Sequence, residues 1–284
     1  MPNRRDVIAA ALATLATPAL ADASWPTRPV RIIVPTTPGG GDDTTTRLFA
    51  QLLEGAFGQP FVVENRAGAG GRIGVEAAFR AAPDGYTLLM GNAGSNGISA
   101  AIYRDLPYDL TNAFDAISLL AMGANGLIVN SRVLPVTTVA ELVAMIRARP
   151  GAFNYASASV GSSAHLNMEL FKFRAGLDIV HVPYRGGPPM VQAVVTGEAP
   201  LAFGNLSNVL PQVRSGDVRL LAVTSRERAP EAPQTPTQHE SGFEGFETMA
   251  WNGLLAPRGT PAPIRARILA ELGRARGDAA LNDR

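Results

Sequence analysis

Val34-Pro35-Thr36-Thr37-Pro38-Gly39-Gly40-Gly41-Asp42-Asp43 separates two segments of different period. Before it, Val30 to Val34 is a β-branched apolar run of the kind that forms a buried strand. After it, Leu48, Leu52, Leu53 and Phe57 recur at helical spacing and predict a helix over Thr44 to Phe57. The stretch is therefore a strand-to-helix turn. Its prolines remove N–H donors and stiffen the entry, and three consecutive glycines let another group approach the backbone closely. The helix that follows aims unpaired N–H groups and the positive end of its dipole into the same space. These residues alone leave two readings open: an anion seat, or a tight turn that binds nothing.

The rest of the chain repeats the alternation of short β-like runs with helical patterns, which signals an α/β architecture. Phe61 to Glu64, Tyr86 to Met90, Ala116 to Ala121, Leu127 to Val129, Asn154 to Ala156, Asp178 to Val182, Leu201 to Phe203, Leu220 to Thr224 and Trp251 to Ala256 read as strands. Between them, Thr138-Val139-Ala140-Glu141 is a capping box that opens one helix, and Gly187 to Thr196 is a second helix entered through two prolines. Gly91 to Ser99 reads as a polar loop. Two α/β lobes follow from this order, the chain leaving the first near Gly123 and returning near Trp251. Ligand sites in such sheets lie beyond the carboxyl ends of strands.

Composition narrows the function. The chain of 284 residues is 46% hydrophobic with a net charge of +1, and all but one of its 25 basic residues are arginines, Lys172 being the exception. They are scattered, which argues against a nucleic-acid surface or a polybasic membrane patch. Arg4 and Arg5, the apolar Val7 to Leu20 and the small-residue Ala19-Leu20-Ala21 read as a signal peptide over residues 1–21, with a cut after Ala23 as the alternative. Asn3-Arg4-Arg5-Asp6 loosely resembles a twin-arginine signal, but a general secretory signal is the preferred reading. A cysteine count of zero excludes disulfides and thiol chemistry. Export to the periplasm is the expected address.

Enzyme motifs fail one by one. Gly68-Ala69-Gly70-Gly71-Arg72-Ile73-Gly74 has GxGxxxG spacing, not the dinucleotide fingerprint, and reads as a structural or ligand-facing loop. No nucleophile elbow or phosphate-cradling NTP loop occurs, and the three histidines, His165, His181 and His239, are dispersed. Neither a cofactor nor a metal is expected. Ser162 or Ser163 beside His165 leaves a serine hydrolase as the alternative, although His165 at a helix start is better explained by ordering the loop. Asp42 and Asp43 read as dipole partners and caps in a first helical turn, or as ligand contacts. What survives is binding without chemistry: backbone N–H groups, hydroxyls and carboxamides suited to a small carboxylate, with Ser162 or Ser163 offering a second anion seat that faces the first. Two seats on opposing lobes suit a dicarboxylate or an amino acid, buried by hinge closure.

Val34-Pro35 with Pro38-Gly39-Gly40-Gly41, Glu64 to Gly71, Ala82-Pro83-Asp84-Gly85-Tyr86, Asn154-Tyr155-Ala156-Ser157, His181-Val182-Pro183-Tyr184, and Leu254-Leu255-Ala256-Pro257 before Gly259-Thr260-Pro261 form a distinctive set. In that combination and order the chain resembles the periplasmic receptors of tripartite tricarboxylate transporters, the Bug proteins. The resemblance covers nearly the whole mature chain. It implies a two-lobed periplasmic-binding-protein fold (Venus-flytrap, type II-like), with residues 24–122 plus 251–284 as lobe one and 123–250 as lobe two. It implies a monomeric, non-enzymatic receptor for a small organic acid that meets the membrane subunits of its transporter transiently. The ligand residues it implies are Thr36, Thr37, Pro38, Gly39, Gly40 and Asp43 at the first turn, Asn92 and Ser95 in the variable loop, and Ser157, Gly161, Ser162, Ser163, His165 and Asn205 from the opposing lobe.

Departures from the family pattern mark where specificity is expected. Thr36 stands where an aromatic is common, and Asp42 replaces a common Thr or Ser. A cleft-facing Asp42 would disfavour a plain dicarboxylate and favour a ligand bearing an amine. The Ala158 to Gly161 loop lacks a usual glycine, and Gly204 replaces an Asp. The chain also ends at Arg284, where family members continue, so lobe one is expected to be C-terminally shortened and to expose apolar surface. A truncated, ligand-incompetent product is the corresponding alternative.

Overall fold

The computed structural model describes residues 25–275. The expected signal peptide and the last residues of the expected lobe one lie outside the described residues. Among the described residues nine strands and eight α-helices form two α/β units. In the first, β2 (Phe61–Asn65), β1 (Val30–Val34), β3 (Thr87–Asn92), β9 (Met249–Pro257) and the start of β4 (Phe114–Val129) lie side by side in that order. β1 runs parallel to β2 and β3, while β9 is antiparallel to β3 and β4. In the second, the end of β4 pairs with β8 (Arg219–Val223) on one side and β7 (Leu201–Asn205) on the other. Beyond β7 lie β5 (Asn154–Ser157) and β6 (Val180–Pro183).

Strand alternation gives each sheet two buried faces. Val30, Ile32 and Val34 pack with Leu53 of α1 (Gly41–Phe57) and Ile268 of α8 (Ala262–Ala275). Ile33 points the other way, to Val75 and Ala78 of α2 (Arg72–Phe79). In the second unit Leu127 and Val129 meet Leu142 of α4 (Val139–Arg147) and Phe171 of α5 (Ser163–Ala175). Ile128 meets Val191 of α6 (Gly187–Thr196) and Val209 of α7 (Leu206–Arg214). The capping box expected at Thr138 and Glu141 is formed.

Three local expectations are corrected. The strands expected at Ala116–Ala121 and Leu127–Val129 are one, because β4 runs unbroken through Gly123 and Gly126. Gly126 is clasped between Gly204 and Val223 in the ladder, and an added methyl there would meet Leu220 Cδ1 at 2.5 Å. β4 is thus the continuous beam between units: Phe114 to Ala124 pairs with β9, and Asn125 to Val129 pairs with β7. Helix α1 begins at Gly41, not Thr44, since the extended Gly40 takes the cap position and Thr44 N–H reaches its carbonyl at 3.0 Å. The expected loop after Met90 is ordered as an extension of β3 to Asn92, a wide helical turn over Ala93–Ile98 and a short helix α3 (Ser99–Ile102).

Candidate functional site

A cavity of about 630 Å³ opens at the carboxyl ends of the strands, between the two units. From the first unit it is walled by the turn after β1, the Ala67–Gly71 loop and the Asn92–Ser95 turn. From the second come Ala158 and Ser159, Ser162 to Ala164, Tyr184 to Gly187, and Gly204, Asn205 and Asn208. Four helices start at this wall: α1 at Gly40, α5 at Ser162, α6 at Gly186 and α7 at Asn205. Ser162 caps α5 by accepting the His165 N–H, whereas α1 and α7 have no side-chain cap. Their first N–H groups are therefore left for the cavity. α6 begins Gly187-Pro188-Pro189 and contributes its dipole more than donors. The starts of the uncapped pair lie close together, an added methyl at Gly41 meeting Ser207 Oγ at 3.0 Å, Asn208 Oδ1 at 3.5 Å and Asn205 Nδ2 at 3.8 Å. Two positive dipole ends so close repel unless an anion lies between them.

The expected site residues divide into two groups. Thr36, Thr37, Gly40, Asn92, Ser95, Ser162, Ser163 and Asn205 lie on the cavity wall. The Thr37 hydroxyl is buried and has no partner within the protein. Pro38, Gly39, Asp43, Ser157, Gly161 and His165 are not on the wall. Asp43 is turned into the scaffold instead: its carboxylate accepts the Gly39 N–H at 3.0 Å, Arg47 Nε at 3.0 Å and Asn65 Nδ2 at 2.9 Å. Burial works against its charge, but these three donors together hold its carboxyl below the usual carboxylate range. Asn65 also donates to the Thr36 carbonyl, so the turn is braced from behind by β2.

Asp42, by contrast, faces the cavity. Its carboxylate accepts Asn92 Nδ2 at 2.7 Å and Asn252 Nδ2 at 2.8 Å. Those two asparagines are direct partners in the β3–β9 ladder, so sheet register places both amides over one carboxylate. Burial raises the Asp42 carboxyl above its ordinary range, and the two amides only partly oppose this.

Behind the opposing loop lies a stack of three rings. His165 and His181 are stacked with centroids 4.1 Å apart, and Tyr155 lies 4.8 Å beyond His181. Ser157 Oγ meets His181 Nε2 at 2.6 Å, and the Gly161 N–H donates to His165 Nδ1 at 3.2 Å. Tyr155 donates to Glu169, which Lys172 also pairs at 2.7 Å. Burial pushes both imidazoles below their ordinary range; for His181, the neighbouring His165 adds to this and takes it to about 4. The Ser-His pairing of the alternative hydrolase reading is not formed. Ser162 Oγ donates to the Ser159 carbonyl and Ser163 Oγ reaches toward Asn125, while the His165 ring holds the loop amide and the stack. Among the described residues no group of three or more His, Cys, Asp or Glu is placed to hold a metal.

Sequence reasoning missed several wall residues. Arg185 is the one cation there, exposed at the mouth with no hydrogen bond or ion pair, and Asp42 is the one carboxylate. Arg185 directly follows a strand end, in His181-Val182-Pro183-Tyr184-Arg185, the position where ligand residues were expected in this fold. Trp251 and Asn208 also line the cavity. Gly186 is a close approach between the units: at φ 113° it lies against Thr37, and any side chain there would overlap the Thr37 hydroxyl.

The chain is 37% identical to Protein BugT of Bordetella pertussis over 255 residues, covering 89% of this chain and 78% of that protein. Among solved structures, R. palustris Rpa4515 with adipate superposes with a TM-score of 0.88 at 37% identity, covering 90% of this chain and 85% of that one. MatC from Rhodopseudomonas palustris with bound malate gives 0.86 at 33% identity, covering 91% and 86%. The periplasmic binding protein BugD also gives 0.86, at 31% identity, covering 91% and 86%. Such relatives are receptors built on the two-lobed periplasmic-binding-protein fold. A family model described as the tripartite tricarboxylate transporter family receptor matches residues 45–280, and the chain belongs to that family.

Proposed function

We propose that this chain is a periplasmic receptor that encloses a small organic carboxylate between its lobes and presents it to the membrane subunits of a tripartite transporter. The observation that carries the reading is the pair of uncapped helix N-termini, α1 from one lobe and α7 from the other, brought close together on the wall of one cavity. An anion between them satisfies donors that neither lobe satisfies alone. Arg185 at the mouth and the unpaired Thr37 hydroxyl add a charge and a further hydrogen-bonding group. The adipate and malate held by the R. palustris relatives support a carboxylate as the ligand class.

In this reading the ligand is held by Thr36, Thr37, Gly40, Asn92, Ser95, Ser162, Ser163 and Asn205, while Asp43 and His165 position the loops that carry them. Lobe one is taken as residues 24–122 plus 251–284 and lobe two as residues 123–250; β4 pairing with β9 up to Ala124 and with β7 from Asn125 supports a division close by. Export uses the leader over residues 1–21; no helix among the described residues is long and apolar enough to cross a membrane. Isothermal titration with malate, succinate, glutarate, adipate, glutamate and an uncharged amide control tests the reading. At least one carboxylate is expected to bind with stoichiometry near one and to raise the melting temperature. A folded sample that responds to none of them overturns it.

A further inference from the structure

Asp42 puts a carboxyl group on the wall of a cavity otherwise arranged to attract anions. Its partners are the Asn92 and Asn252 amides, at 2.7 and 2.8 Å, and no arginine, lysine or histidine bonds it. The Asn92 orientation is settled by its own network: Asn92 Oδ1 accepts the Ser95 N–H at 2.8 Å and the Ser95 hydroxyl at 3.1 Å, which leaves the nitrogen for Asp42. The carboxyl is thus held in place by neutral donors with no cation beside it, so burial disfavours its charge until a cation arrives. Its two oxygens accept one hydrogen bond each from these amides, the Thr36 hydroxyl also favours the charged form, and acceptor capacity is left toward the cavity. A second carboxylate brought beside it would be repelled, more strongly in a closed cleft than in water.

Asp42 also occupies the second position of α1, in the turn whose uncapped N–H groups form the anion seat. A negative acceptor and a set of anion-binding donors therefore stand side by side in one helical turn. An α-amino acid carries its ammonium and carboxylate on one carbon, so it too presents its two charges side by side. We propose that Asp42 is the specificity-determining residue of this cavity and receives the ammonium of an α-amino acid whose carboxylate rests between α1 and α7. The inference rests on the reading that the cavity holds a carboxylate. Arg185, the only cation on the wall, then remains for a second acidic group on the amino acid's side chain.

Matched pairs that differ only in the amine test this: aspartate against succinate, glutamate against glutarate, and 2-aminoadipate against adipate, titrated by calorimetry into the wild-type protein. The amino member of at least one pair is expected to bind tenfold or more tightly than its partner. Asp42→Asn, which keeps the shape and removes the charge, is expected to erase that preference, and Asp42→Thr to tighten the plain diacid. If the plain diacids bind as well as or better than the amino acids, or if the preference survives in Asp42→Asn, the Asp42 assignment is overturned and the carboxylate reading stands. If folded wild-type protein binds no member of any pair, both are overturned. The wild-type comparison decides the matter even where a variant fails to fold.

Discussion

The two walls of the cleft are braced by different chemistry. On lobe one, carboxylates and amides interlock: Asp43 ties the turn to Arg47 and Asn65, and Asp42 is clamped by Asn92 and Asn252 from two neighbouring strands. On lobe two, the Ser157 to Ser163 loop rests on imidazole rings, with His181 against Ser157 and His165 against the Gly161 amide. The first wall takes its shape from carboxyl groups held by amides and an arginine. The second depends on two imidazoles remaining uncharged. One wall therefore presents a carboxyl to the cavity, and the other is a support that acid can loosen. They meet at Gly186, where lobe two closes on Thr37.

Separating the walls gives the largest expected effect. In Gly186→Ala the new methyl would collide with the Thr37 hydroxyl, and the positive φ of 113° is itself strained for alanine. The closed form should become a minor state, and apparent affinity falls by the fraction of closed protein lost. A penalty of about 2–3 kcal/mol, the scale of one strained residue, corresponds to roughly a hundredfold weaker binding. Calorimetry measures this directly, and small-angle scattering should show that added ligand no longer compacts the protein. An unchanged affinity would mean that closure does not pass through this contact.

Weakening lobe two alone should cost less. Arg185 lies at the mouth and is exposed, so Arg185→Ala removes a charge-assisted bond without disturbing the core. A hydrogen bond to a charged group contributes about 1.5–3 kcal/mol, discounted here for exposure, so about tenfold weaker binding is expected for ligands with two acidic groups. Ligands with a single carboxylate should bind as before. Equal losses for both classes would move Arg185 from a contact with the second acidic group to a general electrostatic role.

The contrast between the walls also explains what could be read from the chain. Val30 to Val34, the capping box at Thr138 and the proline entry at Gly187 declare themselves, because strand bias, caps and helix starts are local properties. The continuity of β4 through Gly123 and Gly126 does not, since glycines that fit tight packing look the same in sequence as glycines that break a strand. At the site, the turn at Thr36 to Gly40 was legible as a helix N-terminus, and Ser162 as a cap. The roles of the two adjacent aspartates were not. One residue of helical rotation, about a hundred degrees, turns Asp43 into the scaffold and Asp42 into the cavity, and only tertiary structure fixes that phase. Asn252 escaped notice for a related reason. It lies 210 residues from Asp42 in the chain and reaches it only through the register of β9 against β3.

Acid should loosen the support of lobe two, with the smallest of these effects. Both stacked histidines have folded-state affinities for protons below that of a free imidazole, His181 titrating near 4 against an ordinary value of 6.5. The unfolded chain therefore takes up protons that the folded stack refuses, and stability declines as pH falls. The contribution of the stack is complete above about pH 6.5 and is lost progressively toward pH 4. Glu169, which faces the rings with Lys172 and Tyr155, softens the loss by favouring the charged imidazoles. Melting temperatures recorded between pH 7.5 and 5, above the range where most carboxylates titrate, should fall in the wild type. In His181→Phe, which keeps a stacking ring but cannot be protonated, the profile should be flatter. Protonation would also turn His165 Nδ1 from acceptor to donor and release the Gly161 amide, so ligand affinity should fall over the same interval through a mobile Ser157 to Ser163 loop. A wild-type profile as flat as that of the variant would leave the stack as packing alone, and the difference between the two walls would then lie in shape and not in titration.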